Sequence, residues 1–313
     1  MAGQAASSEG SKGTNGGTGQ QGTPQRPQRP RELQDPLNHY LYHPLAWQLA
    51  RRLAHTPLTP NMVSVFGALM VIAASIAYTS LSYPLSAALG MALHMGWHVV
   101  DGADGDLARL TGRSSPIGEM VDGLCDYLSH IVLYLVLGWW LSGTGGAFGG
   151  GAAWALIVFA GVSHAVQANH VEVQRRQYQW WVYGTPWLRH SHGSQESATS
   201  RTMFSGLVSA YLNVASGMTP HALRVDAAVE AAKGDRARLD AIAAAVRAEA
   251  PPLLLLCKIL GPNPRAIVLG ASMFAGSPVW YMLYQSIVLN ALLVVSVLLH
   301  NAAARRIALK IGA

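Results

Sequence analysis

The stretch VVDGADGDLARLTGRSSPIGEMVDGLCDY, residues 99–127, sets five aspartates, one glutamate and two arginines between strongly hydrophobic segments. Charge beside lipid is costly, so acids kept at a membrane edge point to function. The rest of the chain shows how apolar that setting is. Its 313 residues are 50% hydrophobic and only 12% charged, with a mean hydropathy of +0.23. Soluble domains carry about a quarter charged residues. The composition is that of a membrane protein.

Segments of about twenty apolar residues are long enough to cross a bilayer. On that criterion spans are expected over 61–81, 84–104, 118–141 and 151–172. The run 266–300 is too long for one span and contains Gly-Ser-Pro at 276–278, a turn between two more. The loops near 80–84, 142–150 and 275–279 contain no Lys or Arg, whereas Arg51, Arg52, Arg109, Arg113, Arg175, Arg176, Arg265, Arg305, Arg306 and Lys310 gather at the other ends. The positive-inside rule therefore places both termini and the acidic stretch in the cytoplasm. The expected fold is an all-α integral membrane protein of the cell (inner) membrane. It has six transmembrane helices, an N-terminal interfacial helix over 36–55 and a cytoplasmic helical insertion.

The expected organisation follows. Residues 1–34 are a disordered cytoplasmic tail, rich in Gly, Ser, Gln and Pro and lacking a signal-type apolar run. Residues 35–172 hold the interfacial helix and four spans. Residues 173–264 form a cytoplasmic or interfacial insertion, with an Ala-rich charged helix pair broken at Gly234 and an interfacial or re-entrant piece at 204–217. Residues 265–313 hold the last two spans and a tail. The net charge of +6 forms no continuous basic stripe, which argues against nucleic acid. Cys125 and Cys257 match no metal spacing and read as reduced structural residues.

Asp101 and Asp104 are three apart and share a helix face; Asp122 and Asp126, four apart, share another. Two helices thus present two carboxylates each to a common space. Four carboxylates so close repel, and divalent cations relieve the repulsion, with all-oxygen ligands suiting Mg²⁺ or Mn²⁺. Two such ions form the arrangement enzymes use on phosphates. Gly105 and Gly118 leave room beside the acids, Ala108 keeps the same face clear, and Arg109 can fork onto phosphate oxygens. Asp106 and Glu119 read as caps or solvated charges.

The pattern Asp-x-x-Asp-Gly-x-x-Ala-Arg, eight residues, then Gly-x-x-x-Asp-x-x-x-Asp runs over 101–126 and resembles the CDP-alcohol phosphotransferase signature at every fixed position. The Leu-Thr-Pro-Asn stretch at 58–61 also looks like this family. The resemblance implies a metal-dependent transfer in lipid headgroup synthesis: an acceptor hydroxyl attacks the β-phosphorus of a CDP-alcohol and CMP leaves. By similarity, Asp101, Asp104, Asp122 and Asp126 hold two Mg²⁺ or Mn²⁺ ions, with Asp126 also the base. Gly105, Ala108, Arg109 and Gly118 contact the nucleotide, and the protein is a homodimer. The acceptor, lipid or polar alcohol, stays open. Aminoalcohol phosphotransferases usually carry His after the third aspartate, where this chain has Gly123, a variant that also fits the phosphatidyl-transferring branch. A phosphorylated acceptor would need basic groups, for which Arg175, Arg176, Arg189 and His190 are available, although membrane anchoring explains them as well.

Two further features carry bland readings beside sharper ones. His94 and His98, four apart, have zinc-ligand spacing but read first as core histidines or as one lining the nucleotide pocket. QYQWWVYGTPW, 177–187, reads as an aromatic belt. The rival function is a divalent-cation transporter using the acids as its pathway.

Overall fold

Serine, threonine and proline set the helix starts around the acidic stretch. The structure, a computed structural model, describes residues 29–144, 147–186 and 217–312. Thr59 caps α2 (Pro60–Ser80), its side chain accepting from the Met62 N–H at 3.3 Å, and Pro60 opens the helix where its missing N–H is not needed. Ser115 caps α4 (Pro116–Ser142) in the same way, accepting from the Gly118 N–H at 3.0 Å. Between them α3 (Leu85–Leu110) stops at Gly112, whose φ of 64° lets the chain reverse while the Arg113 N–H bonds the Ala108 carbonyl at 2.8 Å.

A π-turn at Asn38–Tyr42 leads into α1 (His43–Leu53), whose buried Ala46 and Ala50 lie against Val100, Ala103 and Leu107 of α3. After α4 come α5 (Gly151–Tyr183), α6 (Ala222–Ala231), α7 (Arg236–Ile259) and α8 (Pro262–Phe274). The last helix, α9 (Val279–Lys310), contains a π-turn at Tyr284–Val288. Gly234, at φ 92°, separates α6 from α7, and Gly276, at φ 86°, lies in the turn before α9. Among the described residues there is no strand.

Among the described residues, four helices are long and apolar enough to cross a membrane: Pro60–Ser80, Ile117–Ser142, Gly151–Tyr183 and Val279–Lys310. Two of the six expected spans fall short of that criterion. The helix over 84–104 carries its aspartates within the last turns of α3, and α8 has 13 residues, about 20 Å of helix against the roughly 30 Å of a hydrocarbon core. The outer face of α4 exposes Leu124, Leu128, Ile131, Leu135 and Trp139 at helical spacing, as a lipid-facing stripe requires.

Two cores organise the bundle. One joins Trp97, Leu133, Leu137, Ile157 and Met282 from α3, α4, α5 and α9. The other gathers Tyr178 and Trp180 with Val225, Ile242 and Ile307, uniting the far end of α5 with α6, α7 and the end of α9. This corrects the aromatic-belt expectation for 177–187: Tyr178 and Trp180 are only 6% and 4% exposed because α6 and α7 cover them. The stretch 204–217, apart from Gly217, lies outside the described residues, as do Arg189, His190 and residues 1–28, whereas residues 29–34, expected within the disordered tail, are ordered and form a 3₁₀ turn at Arg31–Leu33.

Gly90 of α3 packs directly under the Tyr78 ring of α2. A Cβ there would come within 2.6 Å of the Tyr78 ring, itself fully packed. Gly90→Ala is therefore expected to destabilise the bundle by about 1–3 kcal/mol. Gly123→Ala, where a Cβ meets nothing within 4 Å, should leave it unharmed. Thermal melts of the two variants in one detergent check the contrast.

Candidate active site

The acids come together as the spacing predicts. α3 and α4 both pack on α2, and the last turns of α3 face the first turns of α4. Carboxylate oxygens of Asp101, Asp122 and Asp126 all lie within 4.8 Å of one another. Asp104 joins them through Asp122, while Asp101 and Asp126 also lie within hydrogen-bonding range. Protein groups meet both outer members. Ser64 Oγ on α2 donates to Asp104 Oδ2 at 2.5 Å, the Gly105 N–H donates to Asp104 Oδ1 at 2.5 Å, and the Trp97 side chain stands beside Asp126. Neither Ser64 nor Trp97 carries a signal in the sequence, since each acts across helices.

The same residues test the fit of a metal. The donors are all carboxylate oxygens, the hard set that Mg²⁺ and Mn²⁺ prefer, and no lysine or arginine side chain bonds Asp101, Asp104, Asp122 or Asp126 among the ion pairs of the described residues. The set fits a divalent cation. His94 and His98 take no part: their rings are buried among Trp97, His130 and Tyr42 as core histidines.

Two cavities bear on the site, and of the two only the smaller is lined by the signature acids. A cleft of about 100 Å³ is lined by Asp104, Gly105, Ala108, Arg109, Gly118 and Asp122, so every residue expected at the nucleotide reaches one space. A Cβ at Gly118 would sit 3.2 Å from Ser115 Oγ and crowd the cap. The second cavity, about 440 Å³, is lined by Arg29, Asp35, His43, Arg175, Cys257 and Lys258. Arg175 faces it. Arg176 does not line it, and instead its Nε donates to Glu172 at 2.6 Å. Burial pushes the Cys257 thiol up to about 12, so it stays protonated at neutral pH and is no nucleophile.

Asp106 departs from its expected role. Read as a cap or solvated charge, it is 2% exposed and accepts from both Arg29, at 3.1 Å, and Arg109. Burial lowers the pKa of Arg29, and Asp106 opposes that shift. Glu119, by contrast, is exposed as anticipated.

The family model described as CDP-alcohol phosphatidyltransferase matches residues 57–216, a span that includes α2 to α5 and the whole acid cluster. The chain belongs to this family. The CDP-alcohol phosphatidyltransferase family consists of phosphotransferases acting in phospholipid synthesis, and its members use divalent metal, which sets aside the transporter alternative. No curated protein matches the chain.

Proposed function

We propose that the protein is a membrane phosphotransferase that moves a phospho-alcohol group from a CDP-alcohol to an acceptor hydroxyl and releases CMP. The observation that carries this is the meeting of Asp101, Asp122 and Asp126 beside a cleft that Asp104 and Asp122 line together with the remaining signature residues. In this reading the cleft takes the diphosphate of the donor. Arg109 forks onto its oxygens, and Gly105 and Gly118 let it approach the helix backbones.

Asp101, Asp104, Asp122 and Asp126 would hold Mg²⁺ or Mn²⁺, two ions in all. Bound metal supplies charge neutralisation at the diphosphate and the leaving phosphate. The Asp126 carboxylate takes the proton of the acceptor hydroxyl. The acceptor oxygen then bonds the β-phosphorus, the bridge to the α-phosphate breaks, and its electron pair leaves on CMP. The larger cavity receives the acceptor, with Arg175 in its lining. Two substrate pairings fit: CDP-diacylglycerol with a polar alcohol, or a CDP-aminoalcohol with a lipid alcohol. The surrounding plan is six spans with α1 in the interface. Both termini and the site face the cytoplasm, and residues 173–264 are the added cytoplasmic piece between the 35–172 and 265–313 spans. The working unit is a homodimer.

The test is CMP release by the purified full chain in vesicles with Mg²⁺ or Mn²⁺, offered each donor with its class of acceptor. Release with one pairing identifies the branch. No release with any pairing, together with no binding of the CDP donors, removes the reading.

A further inference from the structure

Asp106 occupies a variable position of the signature, between Gly105 and Ala108, yet its side chain is only 3% exposed. One oxygen, Oδ1, accepts from two arginines that line different cavities. Arg109 belongs to the signature cleft, and Arg29 to the larger cavity. Arg29 reaches Asp106 from 77 residues away, on a segment preceding α1 and outside the matched family region.

That segment, residues 29–35, is tied down along its length. Gln34 Nε2 donates to the Arg29 carbonyl at 2.7 Å, and its Oε1 meets His43 Nδ1 at 2.9 Å. Tyr178 and Tyr183 of α5 donate to Glu32, and Asn263 of α8 donates to Asp35 at 2.8 Å. The segment is a strap along the rim of the larger cavity, and Arg29 is its link to the acid-bearing end of α3.

A buried carboxylate shared by two arginines fixes both, because either loses a charge-assisted partner by moving. We infer that Asp106 is a positioning residue for both pockets: it aims Arg109 into the donor cleft and, through Arg29, holds the strap against the acceptor cavity. The inference rests on the functional reading above for the identity of the two pockets. It also makes them interdependent. A diphosphate that draws Arg109 off Asp106 leaves the whole carboxylate to Arg29, so donor binding tightens the strap that shapes the acceptor cavity.

The test uses the full chain, with CDP plus Mg²⁺ as donor probe and tryptic cleavage after the exposed Arg31 as strap probe. CDP should slow this cleavage in the wild type. Asp106→Asn should weaken CDP binding and speed cleavage, each by about tenfold, the loss of one charge-assisted bond, and abolish the protection. Asp106→Glu, which keeps the charge, should recover much of both. Arg29→Gln, which removes the strap's own bond to Asp106, should speed cleavage and abolish its slowing by CDP. A merely structural Asp106 would reduce the yield of folded Asp106→Asn protein while the folded fraction bound CDP and resisted trypsin as the wild type does. Unchanged CDP affinity in Asp106→Asn, or unchanged cleavage in Arg29→Gln, overturns the inference. A wild type that binds no CDP removes the functional reading instead, and the Arg29→Gln cleavage rate still decides whether the strap is held through Asp106.

Discussion

Asp126→Asn is expected to cut CMP release by about 10²–10⁴-fold, the range general-base catalysis supplies, while CDP still binds with Mg²⁺. The asparagine is isosteric with the aspartate, so the local packing survives. What disappears is a group able to take the proton of the acceptor hydroxyl. The carboxylates of Asp101 and Asp122 lie within 4.8 Å of Asp126, but in the reading above they serve the metal alone, whereas Asp126 serves both the metal and the proton. Turnover and CDP affinity measured on the same preparation separate the two effects. Equal losses in both would make Asp126 a metal-site residue alone, and undiminished turnover would remove it from the chemistry.

The spacing of the acids was enough to bring them together, because residues three and four apart on a helix share a face whatever surrounds them. Gly105, Ala108, Arg109 and Gly118 line one cleft for the same local reason. The caps at Thr59 and Ser115 and the turns at Gly234 and Gly276 are likewise written in a few adjacent residues. Contacts that join distant segments were not legible. The role of Asp106 depends on an arginine 77 residues away, and the hold on Asp104 depends on Ser64, 40 residues away in another helix. Neither partner belongs to a periodic pattern. Tyr178 and Trp180 misled for a related reason. An aromatic run reads alike at a membrane surface and under a covering helix pair, and only the packing of α6 and α7 on α5 tells them apart. Hydropathy likewise did not show where the first helix of the 266–300 run ends, since an apolar sequence does not say that α8 stops after 13 residues.

Removing divalent metal with a chelator is expected to abolish turnover, with Mg²⁺ or Mn²⁺ restoring it, and to lower the melting temperature of the protein. Ligand bound only to the folded state stabilises it by about 2.7 kcal/mol when present at a hundredfold over its dissociation constant. The acid cluster sharpens this into a prediction with opposite signs for two measurements. Without metal, like charges within 4.8 Å repel, so Asp122→Asn should melt higher than the wild type in chelator, because the substitution takes one charge out of the cluster. With metal, the same variant should gain little, having lost a ligand, and its turnover should fall by two orders of magnitude or more, about what charge stabilisation at a phosphate contributes. Melting curves in chelator and in Mg²⁺, run beside CMP release, check both signs. A wild type whose melting ignores divalent ions, or an Asp122→Asn variant less stable than the wild type in chelator, would mean that protons shared among the carboxyl groups already balance the cluster and that it is not built to hold a cation.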